Sequence, residues 1–373
     1  MRVLLLPSWY PEPGQVNGIF FHERALALQK QGVQIIVGVC DVSLRKQGAW
    51  GFSETLQDGI PILRIHCRNH TPFWERGMQR QKRKPLRQIY QKCVSQFGAP
   101  DLIHMDSART AEAVLPLVQE TKRPLTYTEH YSKILAAKKG SYLQKIAAST
   151  IAKADHCFYI SQFVKEQLQL PDDRSSYLPN SVDFSRFTLA SKKNRGIFHF
   201  KALGGLRKIK GYDRLLRAFA EVHQRHPATQ LTVGGTGPEK DTLLLLRESL
   251  QLQDSVHFSG EIAPHEKQNF YQDADAFICS SDLETFSVVL IEALASGLPV
   301  IATRCGGPED FVTKENGILV ERSAADLAKG METMLQTSND YDPNQIRDFA
   351  QAKFDQDSVA KEQIRIWETL LGN

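Results

Sequence analysis

Short apolar runs alternate with amphipathic helical stretches along this chain of 373 residues. In the first half, a helix is predicted at 20–30, and apolar runs predict strands at 3–6, 34–39, 62–65, 102–105, 125–128 and 156–160. The second half repeats the pattern, with strands beginning near 197 and lying at 231–233, 256–258, 276–279 and 300–302. Short buried strands separated by helices are typical of parallel sheets covered on both faces. The pattern therefore predicts an α/β protein with two doubly wound domains.

The stretch Y-L-P-N-S-V-D-F-S-R-F at 177–187, followed by A-S-K-K-N-R-G, is typical of a connection between domains. We predict a first domain at 1–180, a second at 181–355 and a terminal helix at 356–373 that packs back on the first domain. Doubly wound sheets bind ligands at the carboxyl ends of their strands. Two such domains facing each other would place those ends on a shared cleft.

Composition narrows the class of protein without identifying it. The chain is 42% hydrophobic and 24% charged, which is ordinary for a soluble globular protein. A net charge of +4 gives no indication of nucleic-acid binding. Six scattered cysteines without a C-x-x-C pair indicate reduced thiols and a cytoplasmic protein. The first apolar run is too short for a signal peptide, and none approaches the length of a membrane span.

Two glutamates eight positions apart, Glu284 and Glu292, are the strongest candidates for chemistry. A helix is predicted to begin near Phe286 and to end at Gly297, so that Glu284 precedes the helix and Glu292 lies within it. The free amides and the dipole at a helix start favour a phosphate. A carboxylate inside the apolar run V-V-L-I-E-A-L-A also requires a partner. Carboxylates on either side of an anion site suit the hydroxyls and the diphosphate of a nucleotide sugar.

Several motifs resemble one family along nearly the whole chain. They are V-N-G-I-F-F-H-E-R-A-L-A-L, T-E-H-Y-S, Y-L-P-N-S-V-D, L-G-G-L-R-K-I-K-G-Y-D, G-G-T-G-P-E, V-H-F-S-G, E-T-F-S-V-V-L-I-E-A-L-A-S-G-L-P-V-I-A-T and C-G-G-P-E-D. With these motifs the chain resembles the retaining nucleotide-sugar glycosyltransferases of the GT-B fold, called group 1 or family four. The resemblance implies two Rossmann-like domains and transfer of a hexose-type sugar from a nucleoside-diphosphate sugar to a glycan or lipid-linked acceptor. Relatives of this kind commonly act in surface polysaccharide or glycolipid synthesis.

The resemblance also assigns roles in the second domain. Glu284 would accept hydrogen bonds from the transferred sugar, Glu292 would accept them from the ribose, and Lys210 would neutralise the leaving diphosphate. A cation there acts most strongly as charge develops in the transition state. The other donor-binding residues are the backbone of Phe286, Ser287 and Val288 and, beside the nucleobase, Gly260, Glu261 and Ile262.

One position departs from the family pattern. Many relatives have an arginine where this chain has Gly205, and Arg207 is the candidate to supply that charge. In the first domain, Gly18 resembles the glycine whose amide meets the donor phosphate, although relatives often have two glycines where this chain has Asn17 and Gly18. His130, directly after a predicted strand, resembles the family's active-site histidine.

The resemblance implies retention of anomeric configuration and metal-independent catalysis, with no cofactor. It suggests a front-face displacement in which the donor phosphate receives the acceptor's proton. The sequence Asp273-Ala-Asp275 mimics a D-x-D metal motif, but it directly precedes a buried strand and is interpreted as a turn. His66 and His70 have ligand-like spacing without a helix face to align them.

The basic run E-R-G-M-Q-R-Q-K-R-K-P-L-R at 75–87 holds six Lys or Arg residues. We predict a loop that ends where Pro85 opens a helix, with a core-facing side made of Leu86, Ile89, Tyr90, Cys93, Val94 and Phe97. The charges at 76–87 would either bind an anionic membrane surface on its cytoplasmic side or form a solvated loop.

Three other classes of protein share some of these features. A sugar-nucleotide epimerase of the same architecture would bind the same donor without an acceptor. A non-catalytic protein would bind a nucleotide or glycan and turn nothing over. A nicotinamide oxidoreductase is disfavoured because G-G-T-G-P-E lacks the third glycine of the dinucleotide fingerprint, where Lys240 stands instead. The donor base, the sugar, the acceptor and the linkage are not legible in the sequence.

Overall fold

The computed structural model describes residues 1–12, 18–44, 50–71, 74–190 and 196–372. The chain forms two compact units, the first made of Met1–Asn180 with Gln356–Asn373 and the second of Ser181–Asp355. Part of the segment interpreted as a connection, 191–195, and Asn17 lie outside the described residues.

Unit 1 contains an eight-stranded sheet in the order β3-β4-β2-β1-β5-β6-β7-β8. Every neighbouring pair is parallel except β3 and β4. The strands are β1 (Arg2–Pro7), β2 (Gln34–Ser43), β3 (Gly51–Gln57), β4 (Ile60–Arg68), β5 (Leu102–Asp106), β6 (Leu125–Thr128), β7 (His156–Tyr159) and β8 (Ser175–Tyr177).

Helices cover this sheet, and their apolar sides form buried clusters with the strands. They are α1 (Ile19–Lys30), α2 (Glu75–Gln81), α3 (Arg83–Phe97), α4 (Ala111–Thr121), α5 (Ser132–Leu135), α6 (Tyr142–Lys153), α7 (Gln162–Leu168) and the last helix of the chain, α14 (Gln356–Leu371). The indole of Trp367 in α14 is fully buried and donates to the Thr126 hydroxyl at 3.1 Å.

Unit 2 contains a six-stranded, fully parallel sheet in the order β11-β10-β9-β12-β13-β14. The strands are β9 (Phe198–Leu203), β10 (Thr229–Gly234), β11 (Val256–Gly260), β12 (Ala276–Cys279), β13 (Val300–Thr303) and β14 (Gly317–Val320). The helices are α8 (Tyr212–Arg225), α9 (Lys240–Ser249), α10 (Lys267–Gln272), α11 (Val288–Ala295), α12 (Ala324–Thr337) and α13 (Pro343–Phe354). The predicted α/β class with two doubly wound sheets is confirmed.

Three strands were not predicted from the sequence: β3, β8 and β14. Strand β3 pairs antiparallel with β4 across a two-residue turn, Asp58-Gly59, in which both residues have positive φ. An Asp-Gly pair between two strands is a strong hairpin signal, because both central positions of such a turn need positive φ. The exposed middle of β3 lacks an apolar run, so hydrophobicity alone did not reveal it.

The prediction of a basic loop is wrong, because 75–81 and 83–97 are helical and α3 begins before Pro85. Arg76, Arg80 and Arg83 all approach the carboxylate of Glu112 in α4, at 3.1, 3.5 and 2.8 Å. Most of the predicted core-facing side of α3 is buried or packed on the core, but Val94 is exposed. Within the described residues, no helix combines the length and the apolar character needed to cross a membrane.

Candidate functional site

The loop between β12 and α11 in unit 2 holds Glu284, and two backbone hydrogen bonds fix its position. The Glu284 amide donates to the Cys305 carbonyl at 2.8 Å, and the Gly307 amide donates to the Glu284 carbonyl at 2.9 Å. A Cβ on Gly307 would stand 2.4 Å from the Phe286 Cα, so only glycine permits this approach. The sequence C-G-G-P-E-D therefore serves to hold the loop that carries the first glutamate.

Lys210 is the direct partner of Glu284. Its Nζ donates to Glu284 Oε1 at 2.6 Å, and the Ser281 hydroxyl donates to the same oxygen at 2.6 Å. Burial alone would lower the pKa of Lys210, but the charge of Glu284 and its hydrogen bond raise that pKa above 10.5. The two residues therefore form an ion pair in which the lysine is held charged.

The turn that carries Lys210 is fastened to the Glu284 loop. The Asp282 amide donates to the Ile209 carbonyl, and the Ser280 hydroxyl donates to the Lys210 carbonyl, both at 2.8 Å. Gly211 has φ +63°, and a Cβ there would lie 2.3 Å from the Ser280 carbonyl oxygen. This contact explains the glycine after the lysine in the K-G motif.

Helix α11 begins at Val288, two residues later than predicted, and Gly297 follows its end with φ +71° as expected. Ser287, directly before it, has φ 87°, an uncommon backbone conformation for a residue with a side chain. In the described part of the chain, the amides of Phe286, Ser287 and Val288 have no protein acceptor. These amides form an electropositive helix start beside the Lys210–Glu284 pair.

Glu292 lies inside α11 and is 4% exposed. Lys267 donates to its Oε1 at 2.5 Å, and the Tyr271 hydroxyl donates to its Oε2 at 2.8 Å. Burial and the nearby Glu292 charge raise the pKa of Tyr271 well above 10, which keeps this hydroxyl a donor. The partner that a buried carboxylate requires is therefore within the protein, and each oxygen keeps capacity for one further donor.

The remaining donor-binding candidates of unit 2 lie on loops. Gly260 ends β11 with φ +77° and accepts from the Gly235 amide at 2.6 Å, whereas the following Glu261 is exposed and Ile262 is half-buried. Arg207 is exposed, and its Nε lies 3.8 Å from the position that a Cβ on Gly205 would occupy. The Arg207 side chain therefore runs beside the position where many relatives have an arginine.

In unit 1, Gly18 precedes α1 with φ +88°, and its carbonyl accepts from the Phe21 amide at 3.0 Å. A Cβ on Gly18 would lie 2.8 Å from the Trp9 ring. Both the backbone conformation and the limited space therefore require glycine at this position. This structural requirement is independent of any role in binding phosphate.

His130 follows β6, as predicted, and is 9% exposed. Its Nε2 lies 3.3 Å from Asp106 Oδ1. The centres of the Phe20 and Phe21 rings lie 5.3 and 5.2 Å from the centre of the imidazole. The neighbouring Glu129 accepts from two backbone amides and a tyrosine hydroxyl, which fixes the loop that carries the histidine.

Asp106 and Arg24 were not predicted from the sequence. Arg24 donates to both carboxylate oxygens of Asp106, at 2.8 and 2.7 Å. Burial alone would raise the pKa of Asp106, but Arg24 and His104 hold it well below 3.8. Asp106 is therefore a buried anion facing His130. A charged residue that ends an apolar strand, as Asp106 ends β5, was the available signal.

Among the residues that the structure describes, one group of side chains has the spacing of metal ligands: Glu12, Asp41 and His66, whose ligand atoms lie within 4.8 Å of one another. Arg64 already contacts Asp41 at 2.5 Å, and Lys82 and Arg109 line the same cavity. A metal ion would enter next to three positive side chains, which opposes its binding. Metal-independent catalysis remains a prediction.

Two family models match adjacent parts of the chain. Residues 18–186 match the model described as Glycosyltransferase Family 4, and residues 182–352 match the model described as Glycosyl transferases group 1. The chain therefore belongs to the group 1 glycosyltransferases, and its two sheets have the GT-B fold.

The curated relatives of this chain share about a quarter of its residues over the aligned parts. One of them, from Arabidopsis thaliana, belongs to a phosphatidylinositol N-acetylglucosaminyltransferase and is 25% identical over 64% of this chain and 54% of that protein. The chain thus spans about half the length of this relative. An uncharacterized glycosyltransferase from Haemophilus influenzae is 26% identical over 75% of this chain and 78% of that protein.

Solved structures agree on the fold. The sucrose-phosphate synthase of Thermosynechococcus elongatus aligns with a TM-score of 0.84 over 100% of both chains at 19% identity. The Anabaena protein HepE, in complex with UDP-glucose, aligns with a TM-score of 0.75 over 100% of both chains at 18% identity.

Proposed function

We propose that the protein is a retaining glycosyltransferase that moves a hexose-type sugar from a nucleoside-diphosphate sugar to a glycan or lipid-linked acceptor. The observation that carries this proposal is the Lys210–Glu284 pair beside the unsatisfied amides at the start of α11. A diphosphate binds such a helix start through its oxygens. Lys210 then stabilises the negative charge that grows on the leaving diphosphate as the glycosidic bond breaks.

The carboxylates have different parts in this proposal. Glu284 is buried, and its lone pairs that Lys210 and Ser281 do not use accept hydrogen bonds from hydroxyls of the transferred sugar. Glu292 is oriented by Lys267 and Tyr271 and accepts from the ribose. Two of the structural neighbours are complexes with UDP and with UDP-glucose, which supports a nucleotide-sugar donor.

His130 contacts the donor sugar in this proposal, and Asp106 orients its ring. The Asp106 carboxylate lies 3.3 Å from Nε2, and neither ring nitrogen of His130 has a hydrogen-bond partner among the described residues, so the ring has polar atoms available to a sugar hydroxyl. Gly18 offers its backbone to the donor phosphate. The proton of the acceptor passes to the donor phosphate in a front-face displacement, which retains anomeric configuration.

Association with the cytoplasmic face of a membrane is a further part of the proposal. Three arginines of α2 and α3 surround the single carboxylate of Glu112 and are 42 to 50% exposed. Trp74, directly before α2, is 54% exposed. Exposed arginines and an indole on one segment suit an anionic lipid surface, with about 1 kcal/mol per basic residue.

The test is thermal stability against UDP, GDP, ADP, their common sugars and NAD. A ligand at 100 times its dissociation constant stabilises by about 2.7 kcal/mol, which shifts the midpoint measurably. We expect a shift with one nucleoside diphosphate and a loss of about tenfold in its affinity in Glu292→Gln. The matched control is Glu248→Gln, an exposed residue of α9. A shift with NAD alone would overturn the proposal.

Turnover separates a transferase from an epimerase of the same architecture. The nucleotide sugar that stabilises the protein is incubated with and without a panel of glycan and lipid-linked acceptors. Release of the nucleoside diphosphate that depends on an acceptor supports transfer. An altered sugar nucleotide formed without any acceptor supports the epimerase.

A further inference from the structure

Unit 1 contains a cavity of about 360 Å³ at the carboxyl ends of β1, β2 and β4. All the residues that line it belong to unit 1, and its charged or titratable side chains include Glu12, Asp41, Arg64, His66, Lys82 and Arg109. Parallel sheets bind ligands at this edge. The lining is mixed, with charged groups and apolar surface, which suits a small polar molecule.

Lys82 connects α2 and α3 and lines this cavity, although it is only 4% exposed. Within the described ranges, its ammonium has no hydrogen bond or ion pair with protein. Burial lowers the pKa of Lys82 below 10.5 and the nearby Arg109 lowers it further, whereas Cys40, Asp41 and Cys67 raise it without reversing the direction. A buried ammonium without a partner costs folding free energy, so the fold retains a group that an anion would stabilise.

Arg109 is a second cation of the cavity. Its guanidinium lies 4.6 Å from the centre of the Tyr131 ring, and its Nε is buried without a hydrogen-bond partner in the part of the chain that the structure describes. The turn that carries Arg109 begins at Ser107, whose φ of 74° is uncommon for a residue with a side chain. An outlying backbone conformation thus places this arginine after β5.

The other charged side chains of the cavity have contacts within the protein. Arg64 contacts Asp41 at 2.5 Å and donates to the carbonyls of Tyr10 and Pro11, both at 3.0 Å. Glu12 lies 3.6 Å from His66. Since Arg64 is paired with Asp41, Lys82 and Arg109 are the cations of the cavity that form no ion pair among the described residues.

We propose that this cavity binds a sugar that carries an acidic group, either a phosphate ester or a uronic carboxylate. Lys82 and Arg109 face the acidic group, and Asp41 and Glu12 accept hydrogen bonds from the sugar's hydroxyls. Within the proposed function, which this part rests on, the acidic sugar belongs to the acceptor. The binding itself does not depend on that function.

The experiment measures the unfolding midpoint of the full chain with 10 mM glucose 6-phosphate, glucuronate, inorganic phosphate or glucose. The variants are Lys82→Met and, as a matched control, Lys84→Met, which removes an exposed lysine two positions later. We expect glucose 6-phosphate or glucuronate to raise the midpoint of the wild type and of Lys84→Met. In Lys82→Met the affinity falls about tenfold or more, because a hydrogen bond to a charged group is lost.

Which of the two acidic sugars binds identifies the acidic group. A merely structural lysine would lower the midpoint when removed, whereas Lys82→Met without ligand should unfold at or above the wild-type midpoint. Equal stabilisation by glucose, an unchanged response in Lys82→Met, or no response to either acidic sugar would overturn the proposal. So would stabilisation by Mn²⁺ that is lost in Asp41→Asn, because the cavity would then be a cation site.

UDP, GDP and ADP are measured on the same samples, so that the two proposals fail separately. A shift with one of these nucleotides and none with acidic sugars refutes the cavity proposal and leaves the donor site intact. A shift with acidic sugars that requires Lys82, without any nucleotide response, refutes the proposed donor site and leaves the cavity proposal standing.

Discussion

Lys82 of unit 1 is buried and Lys210 of unit 2 is half-buried, and these two lysines show opposite electrostatic behaviour. Lys210 in unit 2 is paired with Glu284, and its pKa is raised. Lys82 in unit 1 has no partner within the described residues, and its pKa is lowered. Burial disfavours the charged form of both, so the direct hydrogen bond of Lys210 to a carboxylate, which Lys82 lacks, decides the direction. A paired buried lysine contributes to the structure of its site, whereas an unpaired one is explained best by a ligand.

The largest expected effect on stability comes from a substitution that leaves Arg24 of unit 1 without its carboxylate partner. Asp106→Asn removes the charge opposite Arg24, and breaking a buried pair costs about 3–5 kcal/mol. We expect a clear fall in the unfolding midpoint of unit 1. Asp173→Asn, an exposed aspartate of the same unit, is the control and should leave the midpoint unchanged. Similar midpoints for both variants would show that Arg24 does not need its partner.

Lys210→Met removes the paired lysine. Because Lys210 is proposed to act on charge that develops in the transition state, kcat should fall about 10²–10³-fold, with a smaller effect on KM for the donor. Lys208→Met, an exposed lysine of the same turn, is the control. If kcat remains within a few-fold of the wild type, Lys210 serves only to hold Glu284.

At alkaline pH, the contributions of the two lysines to the free energy of unfolding should change in opposite directions. Lys82 has a folded pKa below 10.5, so the unfolded state binds more protons in that window and its contribution to stability improves as pH rises. Lys210 has a folded pKa above 10.5, so its contribution is complete below 10.5 and is lost as pH rises through the folded value. Each slope is at most about 1.4 kcal/mol per pH unit.

Unfolding free energies of the wild type, Lys82→Met and Lys210→Met between pH 8 and pH 11 measure these contributions. The advantage of Lys82→Met over the wild type should shrink with rising pH, and so should the disadvantage of Lys210→Met. A difference that grows with pH in either variant would contradict the assigned direction.

The smallest effect is expected for an exposed cation. Arg207 lies beside Gly205, so Arg207→Ala should reduce kcat/KM for the donor by about 3–10-fold, since solvent screens an exposed charge. Arg217→Ala, an exposed arginine of α8, is the control. An effect as large as that of Lys210→Met would mean that Arg207 supplies the charge that many relatives place at position 205.

The sequence predicts the buried strands well, because strands such as β6 and β12 are short apolar runs whose observed bounds match the predicted ones. It does not reveal β3 and β8, which are edge strands with exposed or half-buried polar residues. In the candidate site, Glu284 and Lys210 follow from motifs. The pairing of Arg24 with Asp106 does not, because it joins residues 82 positions apart and leaves no local pattern. The basic run also gives no indication that Lys82 is the buried one among its six cations.

The last helix has a consequence for how the protein is made. Trp367 of α14 belongs to the buried core of unit 1, whereas unit 2 is continuous from Ser181 to Asp355. During synthesis, unit 2 can emerge from the ribosome and fold while unit 1 still lacks a part of its core. Domains usually fold in the order in which they are translated. Here the domain that begins first is completed last, and the apolar residues that α14 covers stay exposed until that helix is made.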